Sequence, residues 1–248
     1  MKKKSIREIT GYLLLIATAI CSIVFIIATP TLPQDLKYHS FSDQFECYAI
    51  SNYWNVISNL PFLIVGLLGL RSKRIYVEFK AQKMIFFIGI SLVGFGSGYY
   101  HLTPNNDTLI WDRLPMTIAF MALFSLIIGQ FMNKQLGNKS LVPLLLLGTL
   151  SVIYWAVFDD LKFYALIQFF PLLAIPVILI FLKQKEKAAW GYWLLLVAYI
   201  VAKLLEHFDH EVHEILQFVS GHSIKHIVAA LGVYCLLYYF KKHSIQKE

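Results

Sequence analysis

The chain has 248 residues, 58% of them hydrophobic and 15% charged, with a mean hydropathy of +0.61 and a formal net charge of +7. Soluble domains carry about 25% charged residues, so an ordinary soluble globular domain is excluded. Apolar runs of 18 or more residues recur, each long enough to cross a hydrocarbon core of about 30 Å as a helix.

Taken in chain order, the apolar runs predict eight spans, near 11–29, 52–70, 82–101, 109–131, 141–157, 161–183, 189–208 and 222–240. The first follows a basic start in "MKKKSIREITGYLLLIATAICSIVFIIATP" and has the outline of a signal peptide. Its apolar run exceeds a usual signal core, which favours an uncleaved anchor. The predicted organisation is an anchor helix over 1–30, an outer loop over 31–51, a seven-helix core over 52–240 and a basic tail over 241–248. Short connections such as Phe158-Asp159-Asp160 imply antiparallel neighbours in one bundle. No repeat, low-complexity tract or linker marks a second domain.

The basicity reports topology. With the N-terminus taken as cytoplasmic, 17 of the 22 lysines and arginines fall on that side. They lie in 1–10, 71–83, "KQLGNKS", "KQKEK" and the tail. This is the positive-inside pattern, with both termini cytoplasmic. The charge is therefore no nucleic-acid footprint; the expected partner is the lipid bilayer. Cys21, Cys47 and Cys235 show no C-x-x-C spacing, so neither a thiolate zinc site nor a redox pair is indicated.

Ionisable groups inside spans are costly and are functional candidates by default. The third span ends outward with Ser97 and His101, four apart on one face and about 6 Å apart along the axis. The chain turns through "LTPNND" and re-enters with Asp112. The last span starts on the same side with His222 and His226, again four apart. Three histidines, a serine and a carboxylate thus share one membrane level. Three imidazoles with an open position suit a catalytic Zn²⁺, which lowers the pKa of bound water to about 7. A carboxylate beside it can move the proton, and a hydroxyl can donate to the oxyanion.

Blander readings compete. A histidine at a helix mouth is commonly interfacial, and Ser97 within "GFGSG" suits close helix packing. Asp112 could pair with Arg113 or Lys225. A second cluster, "EHFDHEVHEI", places Glu206, His207, Asp209, His210, His213 and Glu214 in an outer loop or helix end. It reads as a solvated segment, with Asp209 kept as a partner for a metal-bound histidine.

The stretch "GSGYYHLTPNNDTLIWDRLPM", residues 96–116, resembles the G-S-x-x-F-H-x-T … D-E-L-P-M segment of the alkaline ceramidases. These belong to the wider CREST superfamily of seven-helix membrane hydrolases and receptors. "NYWNVISNLPF" is similar to their F-W-N-x-x-S-N segment, and "GHSIKHIVAALGVY" to their F-H-x-x-W-H motif. The resemblance spans about Asn52 to Tyr234 and leaves the first span outside. It implies zinc on His101, His222 and His226, Asp112 as acid/base and Ser97 assisting the oxyanion or the bound water. The implied reaction is hydrolysis of the ceramide amide, releasing a fatty acid, with the lipid arriving laterally between helices.

The family places a glutamate where Asn52 stands and uses it for calcium. Here Asp43 and Glu46 are the only nearby outer-loop acids, which argues against a calcium site. Arg113 replaces the acidic residue after the aspartate, and Tyr100 replaces a phenylalanine. The extra first span and short loops suggest a bacterial member in the inner membrane, with the site facing outward. Alternatives are a lipid-ester hydrolase of the same superfamily, a zinc-containing receptor or sensor resembling the adiponectin-receptor branch, and a metal-free bundle. The oligomeric state is left open.

Overall fold

A computed structural model describes residues 5–182 and 188–245. Lys2, Lys3 and Lys4, the "KQKEK" lysines at 183, 185 and 187, and Lys247 lie outside the described residues. The described chain is helical. It contains α1 (Ile6–Ala28), α2 (Tyr53–Ile57), α3 (Leu60–Arg71), α4 (Lys80–Leu102) and α5 (Asn106–Phe131). These are followed by α6 (Lys134–Phe158), α7 (Lys162–Val177), α8 (Trp190–His207), α9 (Asp209–Leu216) and α10 (Gly221–Ile245). A π-helical turn, Ile178–Leu182, extends α7.

Among the described residues, seven helical stretches are long and apolar enough to cross a membrane, α1 among them. Joined with α9, from which it is bent by 79°, α8 makes an eighth. The chain is an integral multi-pass membrane protein, and its bundle is preceded in sequence by the apolar helix α1. The principal packing partners are α4 with α5, α8 with α10, α5 with α6 and α3 with α4. An aliphatic and aromatic core centred on Phe86, Phe87, Leu126, Ile127 and Leu236 fills the space between them. Helix α1 packs beside α7 and its π turn, and Gly11 admits the close approach of Phe181.

Two departures from the expected spans have a clear local cause. The span at 52–70 is broken at Ser58 and Asn59, because Pro61 lacks an N–H and clashes with the carbonyl one turn back. The segment "KQLGNKS", expected as a loop, is the first turns of α6. Asn133 caps it by accepting from the Leu136 amide at 2.9 Å, and Ser125 donates to the Gly137 carbonyl at 2.8 Å.

Alternating helix direction collects Ser97, His101, Asp112, Glu206, His222 and His226 at one end of the bundle. Arg71, Lys73, Arg74, Lys80, Lys134, Lys241 and Lys242 lie at the other. The segment between α1 and α2 folds over the histidine end. Its start is pinned to the α6–α7 turn, where Leu32 N–H donates to Asp160 Oδ1 (3.2 Å) and Gln34 N–H to Asp159 Oδ1 (3.0 Å). Asp159 itself closes α6 in the left-handed conformation, φ 47°. Burial opposes charge on Asp160. The backbone amides of Lys162 and Leu32 and the Lys162 ammonium outweigh it and hold the carboxyl below its usual range.

Candidate active site

Each helix that brings a polar group to this end does so for a local reason. Asn105 caps α5 in a reciprocal pair with Thr108, which fixes the turn that returns the chain toward Asp112. Pro115 has no N–H for the Trp111 carbonyl. Gly96 lies against that oxygen, and a Cβ there would come within 1.9 Å of it. The glycine, not the serine beside it, therefore provides the close packing of α4 on α5. Ser97 is left to point elsewhere. Gly221 does the same for α10, where a Cβ would come within 2.3 Å of the Leu205 carbonyl.

His101, His222 and His226 are buried, at 1%, 4% and 6% exposure. One ring nitrogen from each lies within 4.8 Å of the others, and this is the one such group of three metal-ligating side chains among the described residues. Ring centroids are 4.9 Å apart for 101 and 222, 5.0 Å for 101 and 226, and 5.1 Å for 222 and 226. Nδ1 of His101 and Nε2 of His222 are buried with no hydrogen-bond partner. Buried polar atoms are normally satisfied, so two unsatisfied imidazole nitrogens facing one small space fit a metal ion. Imidazole suits zinc, copper, iron and nickel alike.

The third ring is oriented by a neighbour. Ser58 Oγ lies 2.8 Å from His226 Nδ1 and also donates to the Asn55 carbonyl at 3.2 Å. With the hydroxyl proton so used, Nδ1 must carry the proton of the shorter contact, leaving the Nε2 lone pair for a ligand. Asn55 accepts from Ser223 of α10 at 2.7 Å, and Asn52 donates to the His101 carbonyl at 2.9 Å. The "NYWNVISN" segment thus ties α2 to both histidine-bearing helices. Phe41, from the segment ahead of α2, covers His101 and His222 at centroid distances of 4.7 and 4.5 Å. Neither Ser58 nor Phe41 was singled out from the sequence. The serine of the S-N pair was the only available signal.

Ser97 is buried at 3% exposure and faces the Asp112 carboxyl. Both line a cavity of about 360 Å³ together with His226. Asp112 is only half-buried, since it opens onto this space. Pairing of Asp112 with Arg113 or Lys225 is not what forms. The Arg113 guanidinium donates to Gln34 Oε1 at 2.5 Å and stacks on Trp155 and Tyr164. Lys225 pairs with Glu206 at 2.6 Å.

Asp209 reaches this end but meets the backbone of His222, not its ring. It accepts from the His222 amide at 2.6 Å and from the Ser42 amide at 3.0 Å, so it holds the start of α10 and the overlying segment. The ring partner expected of it is Ser58, on His226. Glu206, read as part of a solvated cluster in an outer loop or helix end, lies in the last turn of α8 and faces the cavity, not solvent. Of the remaining cluster, His207, His210 and Glu214 are exposed, while Asp209 and His213 are half-buried. His210 pairs with Glu214 at 3.2 Å, and the Ser42 hydroxyl contacts His210 and His213. At the position the resembling family uses for calcium, Asn52 is engaged as described above, Asp43 is buried and Glu46 is exposed.

The sequence model of the ceramidase family matches residues 44–248. A search of curated proteins returns no match. The matched region runs from the segment before α2 through α10. It contains all three histidines, Ser97 and Asp112, while α1 lies outside it. On this match over most of its length, the chain belongs to the ceramidase family, whose members are membrane hydrolases of lipid amides.

Proposed function

We propose that this chain is a zinc-dependent hydrolase cleaving the amide of ceramide or a ceramide-like N-acyl lipid. The single observation that carries the reading is the convergence of His101, His222 and His226 with Ser97 and Asp112 at the polar end of one apolar cavity. His101, His222 and His226 would hold the ion. When bound, it would supply Lewis-acid polarisation of the substrate carbonyl and a water of lowered pKa.

The chain's own groups account for the rest. Asp112 takes a proton from the attacking water as its oxygen bonds to the carbonyl carbon. The same carboxyl then delivers that proton to the amide nitrogen as the C–N bond breaks, leaving a carboxylic acid and an amine. Ser97 donates toward the oxygen that gains charge and holds Asp112 in place beforehand. Ser58 keeps the His226 ring in one tautomer and orientation.

The cavity suits a lipid. Its volume lies in the range of ligand pockets, and beyond the polar end its walls are apolar, with Leu123, Ile127, Ile175 and Val233 among them. Helices α7 and α8 both line it yet do not pack along their length. A hydrogen bond from Gln168 Nε2 to Tyr199 Oη, 2.8 Å, bridges the gap. This is the proposed lateral route for the acyl chain. The basic residues at the opposite end support a cytoplasmic location for that end by the positive-inside rule. The histidine end then faces outward, in a bacterial inner membrane. We assign 1–30 as an anchor, 31–51 as an outer cover, 52–240 as the catalytic core and 241–248 as a basic tail.

The test is metal analysis of purified protein, followed by incubation with labelled ceramide, N-acyl amines and phospholipid esters. Stoichiometric zinc and release of fatty acid from amides, both lost in His222→Ala, are expected. Undiminished lipid hydrolysis in His222→Ala would overturn the site. Turnover of esters alone would move the reading to an ester hydrolase.

A further inference from the structure

Three cations border the polar end of the cavity: Arg113, Lys203 and Lys225. We propose that they form a pocket for an acidic group carried by the amine half of the substrate, a few bonds from the scissile amide. The inference rests on the hydrolase reading for the position of the amide, and on separate observations for the acid.

The first observation is the charge balance. Lys203 Nζ and Lys225 Nζ share one carboxylate, Glu206, at 2.5 and 2.6 Å. The second is Arg113, 6% exposed, which has no carboxylate within ion-pair distance among the described residues. One side of its guanidinium is taken by Gln34 and its face by the rings of Trp155 (4.1 Å) and Tyr164 (4.7 Å). Its Nη1 has no hydrogen-bond partner. A buried guanidinium with neither an anion nor full hydrogen bonding is costly. Three fixed cations thus meet two carboxylates, and one of these, Asp112, is assigned to proton transfer.

The third observation is placement. Tyr38 joins the groups, with its hydroxyl 3.3 Å from Glu206 and its ring 5.8 Å from the guanidinium carbon. Lys225 directly precedes His226 in α10. The cationic groups therefore adjoin the reaction site, not the apolar shaft that takes the acyl chain. A neutral hydroxylated head would leave Arg113 unmatched. A sulfonate, phosphate or carboxylate offers planar or tripodal oxygens that suit a guanidinium fork and two ammonium donors.

The test uses the full-length protein in detergent micelles and amides of one acyl length. These are N-hexadecanoyl taurine, N-hexadecanoyl glycine, C16 ceramide 1-phosphate and neutral C16 ceramide. At least one acidic amide should exceed neutral ceramide tenfold in kcat/KM, and its identity names the acid. In Lys225→Met that ratio should fall at least tenfold. Hexadecane-1-sulfonate should also raise the melting temperature of wild-type protein more than hexadecanol does, and Lys225→Met should erase the difference.

Neutral ceramide turned over as fast as every acidic amide, with no preferential stabilisation by the sulfonate, would overturn the pocket and leave the hydrolase reading standing. Sulfonate stabilisation that depends on Lys225, without turnover of any amide, would do the reverse. The wild-type comparisons decide the matter even where the variant does not fold.

Discussion

The molecule holds two groups of histidines at the same end of the bundle. His207, His210 and His213 crowd into seven residues of sequence with Asp209 and Glu211 among them; His207 and His210 are exposed and His213 is half-buried. His101, His222 and His226 come from segments more than a hundred residues apart, yet their ligand atoms lie within 4.8 Å of one another. Density along the chain says little about a metal site. What separates the groups is whether neighbouring helices hold the rings in a space closed to water. An exposed imidazole keeps its hydration and its rotamer freedom. The buried three have given up both, and two of their nitrogens have nothing in return.

The largest effect should come from exchanging the two groups in an experiment. His222→Ala is expected to abolish bound metal and lower turnover at least a thousandfold, since a three-histidine site loses an irreplaceable ligand. His210→Ala and His213→Ala should each leave metal content unchanged and activity within about twofold. Metal analysis and amide hydrolysis on the three purified variants check this. A metal loss in His213→Ala comparable with that in His222→Ala would erase the distinction.

Next in size is Asp112→Asn, which keeps an oxygen facing Ser97 but cannot move a proton. Turnover should fall by about 10²–10⁴ with metal content preserved. That pattern separates a proton carrier from a ligand. Loss of the metal together with activity would show that Asp112 belongs with the histidines instead.

Much of this was legible in the sequence because a membrane restricts the alternatives. Windows of 18 apolar residues and the asymmetry of lysine and arginine located the spans and their common end. The four-residue spacings in Ser97/His101 and His222/His226 then set the faces. Ser58 was not legible in the same way. Serines inside spans mostly bond back to their own helix, as Ser91 does to the Phe87 carbonyl and Ser151 to Gly148. Only packing of α2 against α10 distinguishes Ser58 from them. The Lys203–Glu206–Lys225 network was hidden for a related reason. Glu206 stands at the edge of a polar run, and nothing along the chain says that the last turn of α8 rotates it inward while the rest of the run faces outward.

A smaller effect should follow from Ser58→Ala. The variant removes the partner of His226 Nδ1 without touching a ligand atom. Metal affinity should weaken by about 10–100-fold, the usual consequence of losing such an orienting contact, and added zinc should restore activity. Competition with a chelator of known affinity measures it. Unchanged affinity would mean that burial alone orients the ring.

The smallest effect concerns the segment that keeps the two histidine groups apart. Phe41 lies over the buried rings, and the next residue, Ser42, contacts His210 and His213. The same segment is held at its start by Asp160, which accepts from Leu32 N–H and pairs with Lys162 at 3.3 Å. In the folded protein this carboxyl titrates below its usual value. Its contribution is therefore complete above the unfolded value near 3.9 and is lost as pH falls through the lower folded value. Asp160→Asn should cost about 1 kcal/mol at pH 7, lowering the melting temperature by roughly 2–4 °C for a chain of this size. As the pH falls below the unfolded value and through the lower folded one, wild type and variant should converge, because the wild-type carboxyl is then losing its charge. A gap that persisted or widened on acidification would mean that the carboxylate does not anchor the cover. The separation of the buried histidines from the exposed ones would then rest on Asp209, which joins Ser42 to the start of α10.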